Sequence, residues 1–101
     1  MPLFSIITPA WNRVESLPKL IASLKSQTFK DFEWVLGNDG SNDGTKEFIE
    51  SIKDTLDFNL TFINFSLRGG KAKLDNELLN HAKGRFLIWC DSDDYFKDDA
   101  L

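Results

Sequence analysis

Phe86-Leu87-Ile88-Trp89-Cys90-Asp91-Ser92-Asp93-Asp94 is the stretch on which the reading of this chain turns. Five apolar residues in a row give way to three carboxylates within four positions. A short, unbroken apolar run predicts a strand buried on both faces of a sheet. Its end then delivers Asp91, Asp93 and Asp94 to one sheet edge. Carboxylates this close repel one another, which raises their pKa values unless a cation sits among them. Hard oxygen donors suit Mg²⁺ or Mn²⁺ better than Zn²⁺. The cluster therefore reads as a divalent-metal site at the carboxyl end of a central strand. The plainer alternative is a solvated acidic turn.

Upstream of this stretch, strands and helices alternate. Leu3-Phe4-Ser5-Ile6-Ile7-Thr8 predicts a first strand stopped by Pro9, followed by a loop. Leu17, Leu20, Ile21 and Leu24 recur at helical spacing behind Ser16, a fitting N-cap, with Pro18 in the first turn. Phe32 to Gly37 predicts a second strand. Asn38-Asp39-Gly40-Ser41-Asn42-Asp43-Gly44-Thr45 is dense in turn formers and opens a second helix striped by Phe48, Ile49, Ile52 and Leu56. Asn59 to Asn64 predicts a third strand, Arg68-Gly69-Gly70-Lys71 a basic connection, and residues 72–82 a third helix that Gly84 stops. The order β-α-β-α-β-α-β implies an α/β fold, a mainly parallel sheet covered by helices on both faces with right-handed crossovers. No internal repeat or low-complexity tract interrupts it.

Composition sets outer limits. With 101 residues, 42% of them hydrophobic, and with nine Phe and three Trp, the chain can build one core. A net charge of −4 argues against a non-specific nucleic-acid binder. The single cysteine, Cys90, excludes an internal disulfide and is expected as a buried thiol. The N-terminus has no signal-peptide pattern, and no apolar run approaches the roughly 20 residues that span a bilayer. A cytoplasmic domain in a reducing compartment is the expectation, with membrane attachment through a segment outside these residues left open.

A parallel sheet gathers its strand carboxyl ends on one edge, where ligands bind. Four segments converge there: Thr8-Pro9-Ala10-Trp11-Asn12-Arg13, Asn38-Asp39-Gly40-Ser41, residues 66–71, and Asp91 to Asp94. Together they supply an aromatic face, amides and carboxylates, cations and a metal cluster, which is what a nucleoside diphosphate requires. Each has a structural reading too. Trp11 could be a core-edge aromatic, Asp39-Gly40-Ser41 a tight turn with Asp43 or Thr45 capping the next helix, and Arg13 and Lys71 solvated charges. His81 is expected to face outward or pack on its helix. Gly69-Gly70 lacks dinucleotide or phosphate-loop spacing, and no nucleophile-base pair is visible.

Four motifs, in order and over nearly the whole chain, carry a resemblance: Ser5 to Arg13, Gln27-Thr28-Phe29-Lys30-Asp31-Phe32-Glu33, Asn38 to Thr45, and Ala82-Lys83-Gly84-Arg85-Phe86 through Asp94. The chain resembles the amino-terminal half of inverting, family 2 glycosyltransferases of the GT-A fold. The resemblance implies that Thr8, Pro9 and Trp11 wall the nucleotide, with Trp11 where the family usually has Tyr. It implies that Asp39 reads the uracil edge and that Asp91-Ser92-Asp93 is the D-x-D motif. There Asp93 would coordinate Mn²⁺ or Mg²⁺ across the diphosphate, and Asp91 would bind ribose or support the metal shell, with Asp94 extending the cluster. Thr8, Pro9, Trp11, Asn12, Asp39, Lys71, Asp91 and Ser92 form the expected nucleotide-binding set, and Asp93 and Asp91 the metal ligands. Two departures bear on the nucleotide. Asn38 stands where an Asp is common, and Asp75 stands where Arg is frequent, a charge that Lys71 could restore.

The implied reaction is metal-dependent transfer of a sugar from a nucleotide-diphosphate sugar, UDP-linked by the Asp39 match, to a saccharide or lipid-linked acceptor hydroxyl with inversion. The family's general base lies well beyond the D-x-D motif and is expected beyond Leu101, so no catalytic residue is assigned within these residues. Asp98 and Asp99 are too near Asp93 in sequence to match that base. Residues 1–101 are thus expected to be the donor-nucleotide half of a longer enzyme, inactive alone and prone to self-association, with the cytoplasmic face of the membrane as the family's usual setting. Two other classes compete. A nucleotidyltransferase uses a similar sheet and metal but a Gly-rich basic signature after its first strand. A receiver-type binding module needs a Lys on a later strand.

Overall fold

In a computed structural model, residues 2–96 are described, and they form four strands and three helices. The elements are β1 (Phe4–Ala10), α1 (Leu17–Lys25), β2 (Phe32–Asp39), α2 (Thr45–Ile52) with a 3₁₀ turn at Lys53–Thr55, β3 (Asn59–Phe65), α3 (Lys71–His81) and β4 (Phe86–Trp89). All three strand pairings are parallel, in the order β3-β2-β1-β4. The chain steps outward from β1 to β3, then returns past β1 to lay down β4. With one crossover hand throughout, this reversal sends the third helix to the opposite face. Accordingly Leu17, Leu20, Ile21 and Leu24 of α1 and Ile49 of α2 pack with Ile6, Phe32, Trp34 and Leu36, whereas Leu74 and Leu78 of α3 pack with Ile7 and Val35. The result is the expected three-layer α/β/α arrangement.

β1 runs two residues past the expected stop. The backbone N–H groups of Phe86 and Cys90 donate to the carbonyls of Leu3 and Ile7, so the odd residues of β1 face β4. The N–H that Pro9 lacks therefore points to the side where β4 has already ended. Its other edge continues pairing with β2, Pro9 opposite Gly37 and Ala10 opposite Asn38.

The position of β4 corrects the expectation of a central strand buried on both faces. Among the described residues β4 lies at the sheet edge, pairs only with β1, and leaves Phe86, Leu87 and Trp89 55%, 48% and 47% exposed. The doubly buried strand is β2, with all eight residues buried. An apolar run records how many neighbours a strand is built for. It does not show which of them lie within a given stretch of chain.

The amino end of the sheet is tied by one polar relay. Gly84 N–H donates to the Ser5 hydroxyl (2.7 Å), Ser5 donates to the buried Glu33 carboxylate (2.6 Å), and Lys83 N–H donates to the same carboxylate. A β-carbon on Gly84 would lie 2.6 Å from the Ser5 backbone nitrogen, so only glycine lets the chain enter β4 this close to β1. The second and fourth motifs, far apart in sequence, are thus one structural clamp.

Candidate functional site

The direction of chain travel reverses between β1 and β4, and in open parallel sheets the crevice at such a switch point is the ligand site. Here it is a cleft of about 280 Å³ lined by Pro9, Ala10, Trp11, Arg13, Asp39, Arg68, Lys71, Leu74, Asp91, Ser92 and Asp93. Seven of the nine residues expected to bind nucleotide or metal therefore meet in one place: Pro9, Trp11, Asp39, Lys71, Asp91, Ser92 and Asp93.

Thr8 and Asn12 are placed outside this lining. The Thr8 hydroxyl is fully buried and accepts the indole N–H of Trp34 at 2.9 Å, satisfying the polar handle of a wholly buried ring. Asn12, in the left-handed region at φ 52°, ties two loops together. Its N–H donates to Ser41 Oγ (2.8 Å) and its Oδ1 accepts from the Asn42 N–H (2.9 Å). Asp43 adds to the same seam by accepting from the N–H of Val14 and from the N–H and hydroxyl of Thr45. Burial pushes the Asp43 carboxyl up, but these hydrogen bonds together outweigh it and hold it below the ordinary value of 3.8. The turn-rich segment therefore acts partly as scaffold, fixing the loop that carries Trp11.

Asp39 is 4% exposed at the end of β2. Its Oδ1 accepts the Gly69 N–H at 2.8 Å, and its Oδ2 lies 3.8 Å from Arg68 Nε. Gly40 follows in the left-handed region at φ 69°, and a β-carbon there would sit 2.3 Å from the Arg68 backbone nitrogen. Glycine is what lets the loop after β3 press against the end of β2. Arg68 then lies over Trp11, its Cζ 3.8 Å from the ring centroid. The sequence placed the loop of residues 66–71 at the site but weighted Lys71. Its signal for Arg68 was the one other cation of that loop.

Lys71 lines the cleft, yet its ammonium is 2.9 Å from Asp75 Oδ2, one helical turn away. The departure at Asp75 is thus paired with the cation expected to offset it. Asp75 Oδ1 is the buried side-chain oxygen without a hydrogen-bond partner among the described residues. His81 is exposed and its Nδ1 contacts the Glu77 carbonyl, in line with the outward placement expected.

Asp91, Asp93 and Asp94 are exposed, each with a carboxylate oxygen within 4.8 Å of the others. The loop is held by the Asp94 N–H on the Asp91 carbonyl (3.0 Å) and by Ser16, at the N-cap of α1, whose hydroxyl donates to the Ser92 carbonyl (2.9 Å). Beside them the buried Cys90 thiol is pushed up to about 11, by burial first and then by the negative charges of Asp94, Asp91 and Asp93. Three oxygen donors open to solvent, two of them on the cleft, fit a hard divalent cation that keeps positions for water and phosphate oxygens. Asp91 and Asp93, which both line the cleft, are the residues that would hold it. Asp98 and Asp99, set aside as base candidates, lie outside the described residues, and so does Leu101, beyond which the general base is expected.

An open parallel sheet with an aromatic ring, a buried carboxylate and three clustered exposed carboxylates at its switch point defines an α/β protein with a candidate ligand cleft at the carboxyl ends of its strands. The sequence profile of glycosyl transferase family 2 matches residues 5–101, and the chain belongs to that family. It is 35% identical, over its whole length, to a GalNAc(5)-diNAcBac-PP-undecaprenol beta-1,3-glucosyltransferase of Campylobacter jejuni, of which it covers 33%. Among solved structures it is similar to Staphylococcus aureus TarS 1-349 in complex with UDP-GlcNAc (TM-score 0.82, 34% identity, 92% of this chain, 27% of that one). It is also similar to the Pyrobaculum calidifontis mannosyltransferase PcManGT in complex with GDP-Man and Mn²⁺ (TM-score 0.88, 26% identity, 97% and 29%). The fold is that of the GT-A glycosyltransferases TarS and PcManGT. The chain spans between 10% and 40% of the length of the relatives it matches.

Proposed function

We propose that this chain forms the donor-nucleotide half of an inverting, metal-dependent glycosyltransferase that takes a UDP-sugar. The observation that carries the reading is the convergence of Trp11, the buried Asp39 carboxylate and the Asp91–Asp93 pair on one cleft. Trp11 and Pro9 offer an apolar wall for a base. Asp39, acceptor-only when ionised, suits the ring N–H of a uracil. Asp91 holds the ribose or the metal shell, and Arg13 is the cleft cation with no carboxylate partner among the described residues.

Mn²⁺ or Mg²⁺ held by Asp93 and Asp91 would neutralise charge on the departing diphosphate. In the reaction an acceptor hydroxyl attacks the anomeric carbon from the face opposite the diphosphate. The carbon–oxygen bond to the nucleotide breaks, and the hydroxyl proton passes to a base. The carboxylates lining the cleft serve base, ribose or metal in this reading, and the proton acceptor is the one that the family resemblance implies beyond Leu101. The acceptor is a saccharide or a lipid-linked saccharide, as the name of the Campylobacter relative suggests. No helix among the described residues is long and apolar enough to cross a membrane. Work at a membrane surface follows from a lipid-linked acceptor, with the cytoplasmic face implied by the family resemblance, and the exposed edge of Phe86, Leu87 and Trp89 supports self-association of the isolated stretch.

Calorimetry with UDP and Mn²⁺ tests the reading. Binding that requires the metal and drops about 100-fold or more in Asp93→Ala is expected. Metal-independent binding, or an Asp93→Ala variant that binds as well as the parent, would remove the basis for the assignment. Release of pyrophosphate from UTP and a sugar 1-phosphate, in place of free UDP from a UDP-sugar, would point to nucleotidyl transfer.

A further inference from the structure

The two groups assigned to a nucleobase, the Trp11 ring face and the Asp39 carboxylate, are both engaged by one side chain. The Arg68 guanidinium carbon lies 3.8 Å from the Trp11 ring centroid, and its Nε lies 3.8 Å from Asp39 Oδ2. A planar cation stacked on an aromatic face fills the slab that a planar base would fill.

The backbone beneath it is fixed. The Gly69 N–H is bonded to Asp39 Oδ1, and the Arg68 backbone nitrogen is pressed against Gly40. The side chain itself is 58% exposed and has solvent to swing into. Any exchange between blocked and open forms is therefore a rotamer change in place and leaves the loop where it is.

We propose that Arg68 is a self-occupying gate on the base slot: it stacks on Trp11 in the empty protein and swings out when a base enters. This rests on the nucleotide reading of the cleft. Exposed side chains change rotamer in picoseconds to nanoseconds, so the gate does not slow entry. It lowers apparent affinity by the fraction of time the slot is open. Its release costs one exposed cation–π contact and one solvent-screened ion pair, which corresponds to about a 3- to 10-fold loss of affinity.

The test titrates the wild-type chain and Arg68→Ala with uridine and with UDP plus Mn²⁺, following the side-chain N–H signals of the tryptophans by NMR. Uridine carries no phosphate, so its binding is insensitive to any attraction between the Arg68 cation and the diphosphate. Arg68→Ala is expected to bind uridine about 3- to 10-fold more tightly. Arg68→Lys, which keeps the charge and loses the plane, should fall between. In the unliganded variant the Trp11 signal should move and those of Trp34 and Trp89 should stay. Uridine binding unchanged or weakened in Arg68→Ala, with UDP and Mn²⁺ still bound by both proteins, overturns the gate and leaves the nucleotide reading standing. Failure of both proteins to bind UDP with Mn²⁺ overturns the nucleotide reading and the gate with it.

Discussion

β2 and β4 end in acidic residues at the same edge of the same sheet, and they are built in opposite ways. β2 is buried along its whole length, and its Asp39 is 4% exposed with both oxygens facing donors. β4 is an edge strand among the described residues, and its Asp91, Asp93 and Asp94 stand in solvent beside one another. A carboxylate that reads a neutral base edge must be held in one orientation by protein donors, because the base offers little to hold it. Carboxylates that take a divalent cation can be left exposed and mutually repelling, because the cation supplies the compensation. The difference predicts that β2 and its following turn are sensitive in folding, and the β4 cluster in binding.

The largest effect is expected at the turn after Asp39. Gly40→Ala forces a β-carbon at φ 69° to within 2.3 Å of the Arg68 backbone. A strained left-handed residue costs about 1–2 kcal/mol, and displacement of the following loop adds to it. A total near 3 kcal/mol would lower the midpoint of a domain this size by about 12–24 °C. A loss under about 4 °C by differential scanning calorimetry would show that the loop yields easily and that Asp39 is not rigidly held.

Next is the clamp at the other end of β2. Glu33→Ala leaves the buried Ser5 hydroxyl and the part-buried Lys83 N–H without their acceptor. Leaving buried donors unpaired costs about 1–3 kcal/mol, so chemical denaturation should show a loss of about 2 kcal/mol with metal-dependent binding intact. Loss of binding without loss of stability would mean that the clamp positions the site and does little for the sheet.

Between these extremes lies the seam that Asp43 makes. Its folded carboxyl is lowered below 3.8, burial raising it but the bonds from Thr45 and Val14 prevailing. A lowered folded value means that the ionised form is favoured by folding. The contribution is therefore complete above the ordinary value of 3.8 and is lost as pH falls through the lower, folded one. Asp43→Ala should cost about 1 kcal/mol at neutral pH, as loss of a helix-end acceptor does. The gap between variant and parent should shrink on acidification below the ordinary carboxylate value. A gap that widens there would reverse the sign and discard this account.

How far the sequence disclosed this is visible at the same places. The alternation of apolar runs and turn segments was enough for element order, parallel pairing and layering, because connection length and crossover hand leave few topologies. The four strand-end segments were legible for the same reason: a parallel sheet gathers them. What was not legible was the partner each side chain chooses. Thr8 and Asn12 sit in the right segments and yet are spent on Trp34, Ser41 and Asn42. Those contacts span 26 to 30 positions, and no local pattern encodes them. The edge position of β4 was hidden for a different reason. Its five-residue apolar run reads the same whether its second neighbour lies in this stretch or elsewhere.

The smallest effect on stability belongs to the cluster with which the comparison began. Asp93 is exposed, and no hydrogen bond, ion pair or ring contact with another side chain is seen for it among the described residues. Asp93→Asn should leave the unliganded midpoint within about 0.5 kcal/mol of the parent, the range of an ordinary surface change. Any shift should be upward and larger at low salt, since one of three like charges is removed and the Debye length grows as salt falls. Millimolar Mn²⁺ should then raise the midpoint of the parent and leave the variant nearly unmoved, because a ligand stabilises only what binds it. If Asp93→Asn lowers the unliganded midpoint by several degrees, the cluster is holding the loop and the contrast between β2 and β4 fails. If both proteins respond equally to Mn²⁺, the cation sits elsewhere, and Asp93 loses its place in the site.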